Sequence, residues 1–201
     1  MKPVLFIDFI GTLCDGRFWV SLDNDDYGRI DKFLFNDGEL FNGWMRGDYN
    51  SEKICEILSR ELRIEYEILW DALLADCRAM RVFAADLRKI GLLRKDYITA
   101  IVTVNMDCFD RFIVPALGLD KYFDCIVNSC NEGVFKYWDV DKGNKGGLLE
   151  VALSRTGADI NRNILIDDSE KTCAEFKKIG GCALRVDGLK TASYWLDNLI
   201  K

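Results

Sequence analysis

Two short apolar runs in this chain end in carboxylates. Val4-Leu5-Phe6-Ile7 runs into Asp8 and then into Phe9-Ile10-Gly11-Thr12, and Asn163-Ile164-Leu165-Ile166 runs into Asp167-Asp168-Ser169. In open α/β sheets, ligands bind outside the carboxyl ends of the strands, which is where these acids would stand. Taken alone, Asp8 fits equally well as the cap of a turn, and Asp167-Asp168 as solvated loop acids. Taken together, the two strand ends bring like charges to one edge, where they repel unless a cation or a proton lies between them. An oxygen-only ligand set favours a hard ion, Mg²⁺ ahead of zinc.

Two further pieces suit an anion held at the same edge. Thr103 ends the run Tyr97-Ile98-Thr99-Ala100-Ile101-Val102 and offers a hydroxyl to a phosphate-like oxygen, although a β-branched residue at a strand end is also ordinary. The segment Asp141-Lys142-Gly143-Asn144-Lys145-Gly146-Gly147 places two lysines just before a helical pattern, where a cation and a helix N-terminus can hold an anion together. For whichever of Lys142 and Lys145 is not used, a solvated surface role is expected. The chain has no histidine, which excludes Ser-His-Asp triads, Cys-His pairs and histidine metal sites.

The elements that must position these groups follow from hydrophobic patterning. Apolar runs at Val4 to Ile7, Ile98 to Val102, Cys125 to Val127, Ile164 to Ile166 and Cys182 to Val186 read as buried parallel strands. Helical patterns lie between the later ones, at about 107 to 117, 146 to 156 and 170 to 179, the first ending near Gly118 and the last at Gly180-Gly181. This alternation predicts an α/β fold with a doubly wound, mostly parallel, Rossmann-like sheet. About ninety residues separate the first two runs, far more than one crossover needs. Apolar spacing predicts helices over Ser51 to Arg60, capped by Asn50 or Ser51, and over Glu65 to Cys77. Residues 15 to 83 therefore read as a mostly helical insertion, leaving 1–14 and 84–201 as the Rossmann-like core.

Bulk properties bound the remaining classes. At 201 residues, with 49% hydrophobic and 30% charged residues, the chain is long enough for one packed core and is not disordered in composition. A net charge of −6 supplies no overall basic footprint for nucleic acid or an anionic membrane. Neither a signal peptide nor a membrane span is read from the pattern, and the eight scattered cysteines are expected to be reduced in a cytoplasmic protein. Oligomeric state is not encoded legibly.

With Asp8, Thr103, a lysine and Asp167-Asp168 in this order, the sequence resembles the haloacid dehalogenase-like (HAD) superfamily over nearly its whole length. Gly43-Trp44-Met45-Arg46-Gly47-Asp48-Tyr49-Asn50-Ser51 followed by two helices also resembles the helical cap that members insert after the first motif. The resemblance implies that Asp8 attacks the substrate and forms a covalent aspartyl intermediate later cleaved by water. It implies Mg²⁺ held by Asp8, the carbonyl of Ile10 and Asp167, with Asp168 close by. Thr103 and Lys145 or Lys142 would hold the phosphoryl oxygens of a small phosphorylated metabolite.

The pattern departs from the family at Ile10, where phosphatases carry a second Asp that protonates the leaving alcohol and later deprotonates water. Losing a general acid costs roughly 10² to 10⁴ in rate. Four readings follow: a phosphatase with weakened acid/base catalysis, a dehalogenase, a phosphonate hydrolase using Lys32 or Lys53 as a Schiff-base lysine, or a catalytically silent protein that binds Mg²⁺ and a phosphorylated ligand or partner. For the first, Asp15, Asp23, Asp25 and Asp26 are candidate substitute proton donors. Phe18, Trp19, Trp44 and Tyr49 are candidates for an apolar substrate pocket or for insertion core.

Overall fold

The computed structural model describes residues 2–36, 38–136, 147–158 and 162–200. Among these, five strands form a single parallel sheet in the order β3-β2-β1-β4-β5, with β1 Val4–Ile7, β2 Ile98–Thr103, β3 Cys125–Asn128, β4 Ile164–Asp167 and β5 Cys182–Arg185. β1 lies at the centre, and all four of its residues are fully buried, which is why the run is apolar without alternation. Its alternate side chains feed two cores. Leu5 and Ile7 join Ile101 and Ile166 on one face, while Val4 and Phe6 join Val102 and Leu165 on the other. The protein is thus an α/β, Rossmann-like fold with helices on both sides of a parallel sheet.

Between β1 and β2 the chain forms α1 (Asn24–Asn36), α2 (Gly38–Arg46), α3 (Ser51–Leu62), α4 (Tyr66–Ala79) and α5 (Ala84–Leu93). Asn50 caps α3, its side chain accepting from the Lys53 amide at 2.9 Å. The first face of the sheet packs with this material: Leu87 and Ile90 of α5, Ile54 and Leu58 of α3, and the fully buried Trp44 of α2 all belong to its core. The opposite face is covered by α8 (Leu148–Thr156) and α9 (Glu170–Lys178) through Leu148, Ala152 and Phe176.

The helical pattern expected at 107 to 117 is only partly an α-helix. Residues Phe109–Ile113 form a π turn that runs into the short α6 (Val114–Leu117), ended by Gly118 in the left-handed conformation. The wide turn places Arg111 against Asp107 at 2.7 Å and over the Phe112 and Trp70 rings. α7 (Ser129–Glu132) follows β3 directly, and α10 (Ala192–Leu199) packs beside α5.

The inserted helices are pinned to the sheet by polar contacts. The Asp107 carboxylate accepts from Trp44 Nε1 at 3.0 Å, from Ser51 Oγ at 2.6 Å and from Arg111. Burial would raise this acid, but the Ser51, Arg111 and Trp44 donors hold it below the usual aspartate value. Gly47, at φ 81°, brings its backbone against the Cys130 carbonyl in a space that a Cβ would fill. Among the described residues no helix is long and apolar enough to cross a membrane, and all eight cysteines are free thiols.

Candidate active site

Asp8 follows the last residue of β1, and its amide donates to the Ile166 carbonyl at 3.0 Å, so the central strand's hydrogen bonding carries through to the acid itself. Asp167 ends β4, and its Oδ1 accepts from the Ser169 amide at 2.8 Å. Ser169 in turn caps α9 by accepting from the Thr172 amide. The adjacent acids are therefore fixed between a strand end and a helix start. One oxygen from each of Asp8, Asp167 and Asp168 lies within 4.8 Å of the others. Asp8 and Asp167 are buried and Asp168 is exposed.

Gly11 closes the turn after β1 at φ 80°, and a Cβ there would sit 2.5 Å from Asp168 Oδ2. Both its conformation and the close approach of Asp168 thus call for glycine.

Lys136 enters this cluster. It is 5% exposed, and its Nζ lies 2.7 Å from Asp8 Oδ1 and 2.7 Å from Asp167 Oδ2. Burial alone would lower the ammonium's pKa, but the two carboxylates override it and hold Lys136 above its usual value. Burial pushes Asp167 up to about 6, with Lys136 pulling down and the Asp8 charge pushing up. Asp168 is likewise raised, first by burial and then by the Asp8 charge. Three carboxylates against one ammonium leave a formal charge of −2, the deficit that one divalent cation balances.

Lys136 was not singled out in the sequence. It follows Val134-Phe135 in a segment with no strand or helix period. Lys142 and Lys145 lie outside the described residues.

Thr103 is 1% exposed at the end of β2, and among the described residues its hydroxyl has no hydrogen-bond partner, as is also true of the buried Thr12 hydroxyl. Buried hydroxyls without partners are costly and await an acceptor or donor from a ligand. The Ile10 carbonyl accepts none of the backbone hydrogen bonds of the turn, in which Gly11, Leu13 and Cys14 donate to Cys14 and Phe9 carbonyls.

Next to these groups lies a cavity of about 320 Å³. Ile10 and Val104 to Met106, the residues just beyond Asp8 and Thr103, form its sheet side, and Phe18, Phe35, Phe41 and Met45 its helical side. Of the aromatic candidates, only Phe18 lines it. Trp19 and Trp44 are buried in core with ring centroids 5.6 Å apart, and Tyr49 packs over Gly43. The acids Asp23, Asp25 and Asp26 line a separate open recess with Arg29, and Asp15 is exposed outside the cavity lining. Asp31, not among the sequence candidates, stands in the lining with Arg17 and Tyr27. Lys32 and Lys53 are exposed, Lys53 pairing with Glu56 at 2.8 Å. Cys14 is buried and its thiol is raised by that burial, which leaves it inert.

The fold has counterparts among solved structures. A HAD-family enzyme of Bacteroides thetaiotaomicron in complex with magnesium and inorganic phosphate superposes with a TM-score of 0.70 at 14% identity, covering 93% of this chain and 95% of that one. This is the HAD-like fold. A protein of Porphyromonas gingivalis described as a predicted HAD-like family hydrolase matches at TM-score 0.67 and 21% identity over 93% and 92% of the two chains. The L-2-haloacid dehalogenase of Xanthobacter autotrophicus, solved with chloropropionic acid covalently bound, matches at 0.62 and 15% over 92% and 78%. No protein-family model and no curated protein matches the sequence. The likeness is one of fold, at 14–21% identity over more than nine-tenths of this chain.

Proposed function

We propose that this protein is a Mg²⁺-dependent phosphatase-type hydrolase of the HAD-like class, with Asp8 as nucleophile. The observation that carries the reading is the buried Asp8–Lys136–Asp167 arrangement with Asp168 beside it, whose net charge of −2 suits a divalent cation. The neighbour crystallised with magnesium and phosphate supports the same ligand pair.

The donor set fits the metal. Carboxylate oxygens of Asp8, Asp167 and Asp168 and the Ile10 carbonyl are hard ligands of the kind Mg²⁺ takes. When bound, the ion would supply charge neutralisation for an incoming phosphate. The chain's own groups do the rest. Asp8 attacks phosphorus, Lys136 orients the Asp8 carboxylate through Oδ1 and faces the developing negative charge, and Thr103 donates its free hydroxyl to a phosphoryl oxygen. In this reading Lys136 fills the role the family resemblance had given to Lys145 or Lys142. Residues 15–83 act as the cap whose α1 and α2 close the substrate cavity.

One observation favours a second reading. The lining around Ile10 is mostly apolar and includes none of Asp15, Asp23, Asp25 and Asp26, which suits a protein that binds Mg²⁺ and a phosphorylated ligand without turnover, whereas Asp31 in the same lining is an insertion acid that suits an enzyme. The dehalogenase neighbour fits halide displacement as a further reading, but three clustered carboxylates that could hold a cation favour it less, and a Schiff-base route lacks a buried lysine among the described residues of the insertion.

The two main readings separate in a phosphatase assay with Mg²⁺ or EDTA and Asp8→Asn as the blank. Metal-dependent release of phosphate that disappears in Asp8→Asn supports the hydrolase. Turnover no greater than the blank, with Mg²⁺ binding intact, selects the silent binder.

A further inference from the structure

Ile10 and the cavity above it belong to one device. Ile10, two residues past Asp8, lines the cavity with Phe18, Phe35, Phe41, Met45 and Met106, and Arg17, Tyr27, Asp31 and Asn105 supply its polar part. Phe35 and Phe41 meet with ring centroids 4.6 Å apart, and Phe35 is 50% exposed. The volume, about 320 Å³, is at the small end of ligand pockets and roughly twice that of a cavity that admits benzene, about 150 Å³.

The walls are held in place. The Ser129 hydroxyl donates to the Met45 carbonyl at 2.6 Å and accepts from the Asn105 amide at 3.0 Å, tying a wall residue of α2 to one beyond β2. Phe18 packs on Trp44, itself anchored to Asp107. The cavity is therefore formed before any ligand arrives, and little ordering cost is charged to the ligand that fills it.

Resting on the hydrolase reading, we propose that this cavity holds the aromatic leaving group of an aryl phosphate monoester, and that Ile10 is matched to that substrate. An aliphatic alcohol leaves poorly as its alkoxide, so its ester needs the proton donor that this chain lacks at Ile10. A phenol ionises near pH 10 and departs as phenoxide with much less need of an acid. In the first step the Asp8 oxygen–phosphorus bond forms and the phosphorus–oxygen bond to the aryl group breaks, the electron pair leaving on the phenoxide. In the second, water attacks the aspartyl phosphate, releasing phosphate and regenerating the Asp8 carboxylate. The proton shed by that water balances the one the phenoxide takes from solvent. The apolar residue thus serves as contact surface for the ring where the acid of the first step is dispensable, while in the second step the attacking water gives its proton to solvent with no base at this position.

The test is calorimetric binding of phenylphosphonate and methylphosphonate, both resistant to hydrolysis, to the whole protein in Mg²⁺, with steady-state kinetics on phenyl phosphate and ethyl phosphate alongside. Phenylphosphonate should bind at least about tenfold more tightly than methylphosphonate, as burial of one ring predicts. Phe35→Ala, at a half-exposed site that threatens no core, should remove part of that advantage, and Phe35→Ala with Phe41→Ala most of it, leaving methylphosphonate unchanged. Equal affinity for the two phosphonates, or an aryl advantage indifferent to both substitutions, overturns the proposal. Asp8-dependent turnover without any aryl preference overturns it while sparing the hydrolase reading. An aryl preference in binding that depends on Phe35 and Phe41 but brings no turnover supports the ring site and removes the hydrolase.

Discussion

Lys136→Met tests the charge arrangement at its centre. The ammonium is buried between two carboxylates at 2.7 Å each, one of them, Asp167, wholly inaccessible to solvent. Removing one member of a buried ion cluster costs about 3–5 kcal/mol, because the remaining charges stay behind without compensation. For a domain of this size each kcal/mol is worth about 2–4 °C, so the metal-free variant should melt roughly 6–20 °C below the parent. The three carboxylates then carry a formal −3 in place of −2, and Mg²⁺ should recover more in the variant than in the parent. A cation at a hundred times its Kd contributes about 2.7 kcal/mol. Proton uptake by Asp167 offers the variant a second escape, so its deficit in EDTA should be smaller at pH 5.5 than at pH 8. Scanning calorimetry at both pH values, with EDTA or Mg²⁺, reads all three effects. A melting temperature within about 1 °C of the parent in EDTA, or a deficit indifferent to Mg²⁺, would refute the shared site.

Asp107→Ala should strip Trp44, Ser51 and Arg111 of a common acceptor and lower stability by about 3 kcal/mol, measured by denaturant unfolding. Because Asp107 is held below its usual pKa, its contribution is present at neutral pH and lost as pH falls through its folded-state value; parent and variant should converge in acid. Asp167 has the opposite sign. Its folded-state pKa of about 6 lies above the ordinary aspartate value of 3.8, so folding takes up a proton between the two, and the stabilisation is lost as pH rises through about 6. In EDTA the melting temperature of the parent relative to Asp167→Asn should therefore rise as pH is lowered from 7 to 5. Over the same range the Mg²⁺-induced rise in the parent's melting temperature should shrink as protons displace the cation; a Mg²⁺ response constant across that window would count against Asp167 as a ligand.

The parts of the fold that could be read from the chain are those whose signal is local. β1, β3 and β4 are apolar runs because both faces are covered, and their positions match the sequence pattern to within a residue. α3 is signalled by its Asn50 cap and by Ile54 and Leu58, and α4 by Leu69 and Leu73. α1 and α10 are less visible: α10 buries only Ala192 and Leu196 in eight residues, too few to set a period. The π turn at Phe109–Ile113 depends on contacts with residues from α3 and α4, Glu52 and Trp70, far away in sequence.

In the site, Asp8 and Asp167-Asp168 announce themselves because an acid ending an apolar strand is conspicuous. Lys136 does not, since one lysine in an aperiodic segment looks like any other until the sheet places it against two carboxylates. Phe35, Phe41 and Asp31 were equally silent, because α1 and α2 meet the sheet edge only in three dimensions.

The central claim is that Asp8 forms a covalent bond to phosphorus, and acid quench of a single turnover tests it directly. The protein, in excess, is mixed with a radiophosphate-labelled aryl phosphate in Mg²⁺ and quenched within the first turnover. Label should be retained on the protein, map to the peptide containing Asp8, decay as free phosphate appears, and be absent from Asp8→Asn. Phosphate release at the same rate in Asp8→Asn, or label carried on any other residue, would contradict the account.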